Sequence, residues 1–171
     1  MTKEYLFDKL IMPADDFDSL LVHNRQDAYF VAAMTVVAFC NYKVDTSVCQ
    51  AMINCLRNPA DPMSEFQKQF LRDRLKGKEY KPYSFLKGSS PKNGYRPSEP
   101  FTVKVSSMQS SFANENWATL YLYSSGADNP RQIRLREKRS THEWYLIEDF
   151  LLSDIREPET DDEGNPVDPW G

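Results

Sequence analysis

The chain has 171 residues, 40% hydrophobic and 27% charged, with a formal net charge of −4. That length fits about one domain, and a domain of this size buries roughly 70% of the surface its unfolded chain exposes. The charge is uneven: residues 157–171 hold six acids and no base, while the stretch from Lys68 to Arg96 holds nine bases against two acids.

Met1 to Met12 lacks the apolar core of a signal peptide. Residues 1–23 mix Leu6, Phe7, Leu10, Phe17, Leu20 and Leu21 with acids. Asp15 and Asp16, just before Phe17, read as the start of a short helix. The DDFD cluster there has the look of metal ligands, but it lacks the glycine and distal glutamate of a calcium loop, so a helix start is preferred.

The run Tyr29–Cys40, YFVAAMTVVAFC, carries no charge and one hydroxyl, Thr35. A helix made from it would be apolar on every face and would have to be buried on every face. It stops well short of the roughly 20 apolar residues that a membrane span needs. Asn24 is read as its N-cap, with Asp27 favouring the positive end of the helix dipole. A central strand over Val31–Phe39 is the competing reading, because Val36 and Val37 are β-branched. The length of the run and its alanines favour helix.

A second helix starts with Asp45 as N-cap and carries Val48, Met52 and Cys55 or Leu56 at helical spacing, ending before Asn58-Pro59. A third opens on Ser64-Glu65-Phe66-Gln67, the pattern of a capping box. In it Phe66, Phe70, Leu71 and Leu75 are expected to form one apolar stripe, closed by Gly77. Lys68, Arg72, Arg74 and Lys76 are read as its solvated face. The three cysteines, Cys40, Cys49 and Cys55, form no CxxC pair, and His23 and His142 are far apart. They read as reduced thiols of a cytoplasmic protein, with no zinc site and no cofactor expected.

Residues 78–100 contain four prolines, the turn signal Asn93-Gly94 and the aromatics Tyr80, Tyr83, Phe85 and Tyr95. This connection is expected to lie against the body with its rings as anchors. From Phe101 the period becomes two. Val103 and Val105, Ala118 to Leu122, Ile133 and Leu135, and Trp144 and Leu146 alternate with polar or aromatic neighbours, which predicts four strands of an antiparallel meander. Its aliphatic face should cover the helices. Its outer face would carry Lys104, Trp117, Tyr121, Tyr123, Arg134 and Arg136, with guanidinium groups lying over rings. In SSGADNPRQIRLR, Gly126 can take positive φ, Asp128 or Asn129 can close an Asx-type turn, and Pro130 fixes entry to the next strand. Phe150, Leu151, Leu152 and Ile155 are apolar enough to dock back on the core. The acidic, proline-rich tail ends in Asp168-Pro169-Trp170-Gly171.

No GxSxG, Walker, GxGxxG or HExxH motif is present. The acids Glu148, Asp149 and Asp154 follow the last strand without a spacing that sets their geometry. Basic residues interleaved with aromatics between Lys68 and Arg96 match the pattern of a nucleic-acid surface, against which the pI of about 5.3 weighs.

Several stretches carry a family resemblance: the KQFL helix at 68–71, the P-x-N-G-Y-x-P-S turn at 91–98, the GAD-x-PR turn at 126–131, WYLIEDFLLSDIREP, and the closing D-P-W. In these the chain resembles small, stand-alone, uncharacterised bacterial proteins of a domain-of-unknown-function family, mostly Gram-positive. The likeness runs from about Asp27 onward. The chain departs from it by a longer insertion before D-P-W and by Gly171 where an alanine is usual. The resemblance implies a coherent bacterial domain and assigns no residue a role.

The expected fold is α+β. Three to four N-terminal helices pack on a C-terminal four- to five-stranded antiparallel meander, in one domain over 1–158 (helical 1–77, connection 78–100, meander 101–158) followed by the tail 159–171. The order of helices then meander is shared with cystatin-like and nuclear-transport-factor-like folds, an analogy that carries no function. The leading functional reading is a non-enzymatic cytoplasmic interaction module without catalytic residues. Its candidate contacts to a protein partner or a second copy are Tyr83, Phe85, Tyr95, Trp117, Tyr121, Arg134, Arg136 and Trp170. A small-ligand or enzymatic pocket between sheet and helices is the alternative. Nucleic-acid binding through residues 68–96 and the Arg134/Arg136 face comes third, and no membrane association is expected.

Overall fold

In the computed structural model of the chain, which describes residues 1–168 and Trp170, helix α2 (Ala28–Cys40) is buried at every residue except the half-buried Phe30. Helices α1 (Ala14–Asn24) and α3 (Thr46–Leu56), the 3-10 turn Lys81–Phe85 and the sheet all pack on it. An apolar helix enclosed this way has its polar needs met at its ends. The Asp27 carboxylate accepts from Tyr29 N–H at 3.0 Å and is the N-cap. Asn24, expected in that role, instead closes α1, its amide donating to the Leu20 carbonyl at 2.8 Å. At the other end the buried Asn41 donates to the carbonyls of Leu10 and Val37 and accepts from Met12 N–H. One buried amide thus ties the incoming loop to the end of α2.

The sheet has five strands in the order β1-β2-β3-β4-β5, all antiparallel neighbours: β1 Thr2–Phe7, β2 Phe101–Ser106, β3 Trp117–Leu122, β4 Arg131–Lys138 and β5 Glu143–Asp149. β1 adds one strand to the four that the sequence predicts. Its inward positions are Lys3, Tyr5 and Phe7, and a lysine among them hides the alternation. The Lys3 ammonium reaches over the Tyr29 ring, 4.5 Å from its centre, and lies 3.6 Å from Asp27. Residues Val103, Val105, Ala118, Leu120, Leu122, Ile133, Leu135 and Leu146 fill the helix-facing side.

β2 and β3 pair only at Ser106 and Tyr121. Beyond that point the segment Ser84–Lys87 occupies the gap. Ser125 N–H donates to the Ser84 carbonyl, Leu86 bridges to Val103, and Lys87 N–H donates to the Thr102 carbonyl. The proline-rich connection is therefore part of the sheet, and its Phe85 and Tyr95 are core residues.

β5 forms one edge of the sheet, and two buried arginines cover it. Arg25 donates to the Trp144 carbonyl, and its own carbonyl accepts from Trp144 N–H. Arg57 donates to the Ile147 carbonyl while Asp61 holds its remaining nitrogens. Helix α4 (Glu65–Leu75) starts on the expected Ser64–Gln67 capping box, and Gly77 follows it at φ +74°. Only Leu71 and Leu75 of α4 are buried.

Among the described residues no helix is long and apolar enough to cross a membrane. Replacing Val36, 0% exposed, with Asp would put an unpaired carboxylate in the centre of the core. V36D is expected to be unfolded by circular dichroism. Asn41→Leu should keep the fold but lower stability by about 2–4 kcal/mol in urea titration, because it strands three backbone groups.

Candidate functional site

Two apolar pairs divide α4. Phe66 and Phe70 are one turn apart, and so are Leu71 and Leu75, but at about 3.6 residues per turn Leu71 lies about 140° round the helix from Phe66. They do not form the single stripe expected from the sequence. The leucines moor α4 to the body. Phe66 stays 78% and Phe70 50% exposed.

Between α4 and the edge strand β5 these phenylalanines form one wall of a groove of about 300 Å³. Phe150, half-exposed just after β5, forms part of the opposite wall. Phe39, Ile53, Leu146 and Leu152 line the interior. Polar groups enter at few points. Arg57 is engaged with Asp61 and the β5 edge. The Arg74 guanidinium lies 4.8 Å from the Phe70 ring centre and has no carboxylate partner among the described residues. Glu148 is paired with Arg134 at 2.7 Å.

Asp149 is the distinctive group. One carboxylate oxygen accepts from Leu151 N–H at 3.2 Å, and among the described residues none forms an ion pair with it. Burial against the apolar lining pushes its carboxyl up to about 6, Glu148 adds to the rise, and the Leu151 N–H and Arg57 oppose it. The groove therefore offers aromatic walls and one poorly solvated acceptor.

The candidate contacts read from the sequence fall into three separate places. Tyr83, Phe85 and Tyr95 belong to the body of the fold. Half-buried Tyr83 donates to the Cys40 carbonyl under the Lys43 ammonium, Phe85 is buried, and Tyr95 is buried with its hydroxyl on the Arg156 carbonyl. Trp117, Tyr121, Arg134 and Arg136 share the outer sheet face. There both guanidinium groups lie 5.0 Å from the Trp117 ring centre, the arrangement expected of a covered sheet surface. Trp170 is exposed, and its neighbours Pro169 and Gly171 lie outside the described residues. None of the eight lines the groove. Of the residues that do line it, Phe66 and Phe70 had one legible signal, the offset of about 140° on α4, while Phe150, expected on the core, had none.

The turn motifs at 91–98 and 126–131 meet in space. Gly126 does not use the positive φ that is open to it. It is needed for room, because a Cβ there would collide with the Tyr95 hydroxyl oxygen and come within 2.9 Å of Ile155. Tyr95 stacks on Tyr80 at 5.5 Å. Arg156 pairs with Asp128, and Arg131 donates to the carbonyls of Ser153 and Asp154. These motifs build a structural junction.

The tail docks on the same loop. Arg96 donates to the carbonyls of Asp161 and Asp162, Glu159 N–H donates to the Pro91 carbonyl, and Thr160 bridges to Pro166. A Cβ on Gly94 would come within 2.9 Å of Thr160, so the close approach needs glycine. Basic loop and acidic tail are joined through backbone carbonyls more than through carboxylates.

Among the described residues no three or more His, Cys, Asp or Glu side chains are grouped to hold a metal ion. Cys40 and Cys49 are buried free thiols whose ionisation burial opposes, Cys49 being pushed up to about 12.

The raised carboxyl of Asp149 has a stability consequence. The folded state binds its proton more tightly than the unfolded state, so this contribution is full below about pH 4 and is lost as pH rises through about 6. Asp149→Asn keeps the Leu151 bond and removes the charge. It should be more stable than the parent at pH 8, by about 1 kcal/mol after allowing for solvent at the groove mouth, and should match it near pH 4 in urea titrations.

No curated protein and no solved structure matches the chain. Residues 12–159 match the model of a family described as domain of unknown function (DUF6935), and by that match the chain belongs to this family.

Proposed function

We propose that the chain is a non-enzymatic protein-interaction module and that its docking site is the groove between α4 and β5. The observation that carries this reading is the set of three exposed phenylalanines, Phe66, Phe70 and Phe150, gathered round one concavity. Exposed aromatic surface with a polar rim is typical of partner sites, and the centre of such a site is where aromatic anchors dock. The groove favours a side chain with an apolar body and a single donor, since Asp149 supplies one acceptor.

Other readings find less support. The helix-facing side of the sheet, where a ligand pocket of the cystatin-like or transport-factor-like kind would open, is filled by aliphatic side chains and α2. For nucleic acid, the cations of residues 68–96 are dispersed. Lys81 is buried on the Leu152 carbonyl and Arg96 holds the tail, whereas Lys68, Arg72 and Lys76 border a hollow with Lys43. The three free cysteines support a reducing, cytoplasmic setting, and the family resemblance a bacterial one.

The test is a titration of the isotope-labelled chain with N-acetyl-tryptophanamide, followed by NMR. Resonances of Phe66, Phe70, Leu146 and Phe150 should shift together, and the double variant Phe66→Ala/Phe70→Ala should weaken the response by about tenfold or more. Absence of a response in the groove at millimolar probe would overturn the reading.

A further inference from the structure

The groove has walls for an aromatic ring, an acceptor inside it and a cation beside it. The same chain carries a segment with the matching features. Trp170 is 95% exposed and Val167 53%, so two large apolar side chains stand in water within four residues. Tryptophan combines an apolar body with one N–H donor and no acceptor, the complement of aromatic walls and a lone carboxylate oxygen. Asp168 supplies the matching charge. Its carboxylate accepts from the backbone N–H of Trp170 at 2.9 Å, so the acid lies two residues from the indole and leaves the indole N–H unused by it. Arg74 at the groove is the cation they would meet, and it has no carboxylate partner among the described residues.

The described tail is held by its own chain outside the groove lining. Residues 159–166 are fixed on the loop at 91–96, and no residue of that loop lines the groove. A second copy has no such constraint. On the other side of α4 a hollow carries Lys43, Lys68, Arg72 and Lys76 against Asp45 and Glu79, a net positive surface for an approaching tail with six acids and no base.

Resting on the module reading above, we propose that the groove receives Trp170 of a second copy of this chain, with Asp168 of that copy on Arg74, and that the exchange is reciprocal. Each copy then supplies both an anchor and a groove, which gives a closed two-fold pair.

The experiment is complementation followed by native mass spectrometry and sedimentation. The parent chain should self-associate. Trp170→Ala lacks the anchor and Phe66→Ala/Phe70→Ala lacks the groove wall, and each alone should associate at least about tenfold more weakly than the parent. All three substitutions are at exposed positions, and matching circular dichroism and melting curves establish that the variants fold. Mixed in equal amounts, the two variants should form a heterodimer, because one intact anchor meets one intact groove. Three results would each sink the proposal: a parent chain that is monomeric at millimolar concentration, a Trp170→Ala chain that dimerises like the parent, or a mixture that yields no heterodimer. Burial of Trp170 that is independent of concentration would sink it as well, by showing that the anchor is held within one chain. If the parent is monomeric while N-acetyl-tryptophanamide still shifts the groove resonances, the module reading stands and the self-recognition is refuted.

Discussion

The structure depends on a helix with no polar side. Because α2 must be enclosed all round, most of the chain is arranged to cover it: the sheet, helices α1 and α3, and the 3-10 turn that begins the proline-rich connection. Polar groups are admitted at its two ends, where Asp27 and Asn41 satisfy backbone groups that would otherwise be buried without partners. The cover is made of short pieces, and this accounts for the number of side chain-to-backbone bonds that join them. Arg25, Arg57, Lys81 and Tyr95 each reach a carbonyl far away in the sequence.

Those long-range bonds also explain motifs that have no chemistry of their own. The Asn-Gly-Tyr turn, the Gly-Ala-Asp turn and the stretch ending Asp-Ile-Arg-Glu converge on one junction, where Tyr95 needs Gly126 to be small and Arg131 and Arg156 tie the strands to the chain that follows β5. Residues so specific in order and spacing invite a functional reading. Their geometry shows that they hold the fold together.

Much of the fold was legible because its signals are local. The capping box at Ser64, the cap at Asp45, the period-two strands and the uncharged run of α2 each declare themselves within a few residues. What was not legible depends on distance. β1 is an edge strand whose inward lysine is accommodated only because Tyr29 and Asp27 stand beside it. Gly126 looks like a turn glycine until Tyr95 is placed against it. The groove was hidden for a similar reason. Phe66 and Phe70 read as core residues, and only the position of Leu71 and Leu75 as the true mooring leaves them outside.

That mooring has a thermodynamic consequence. A helix attached by two leucines has little buried surface to lose when it detaches, so α4 belongs to the low end of the local stability range and its amide protons should be open to exchange without global unfolding. One wall of the groove is therefore itself in equilibrium between docked and released. Whatever occupies the groove selects the docked form, and part of its binding free energy goes into ordering the helix.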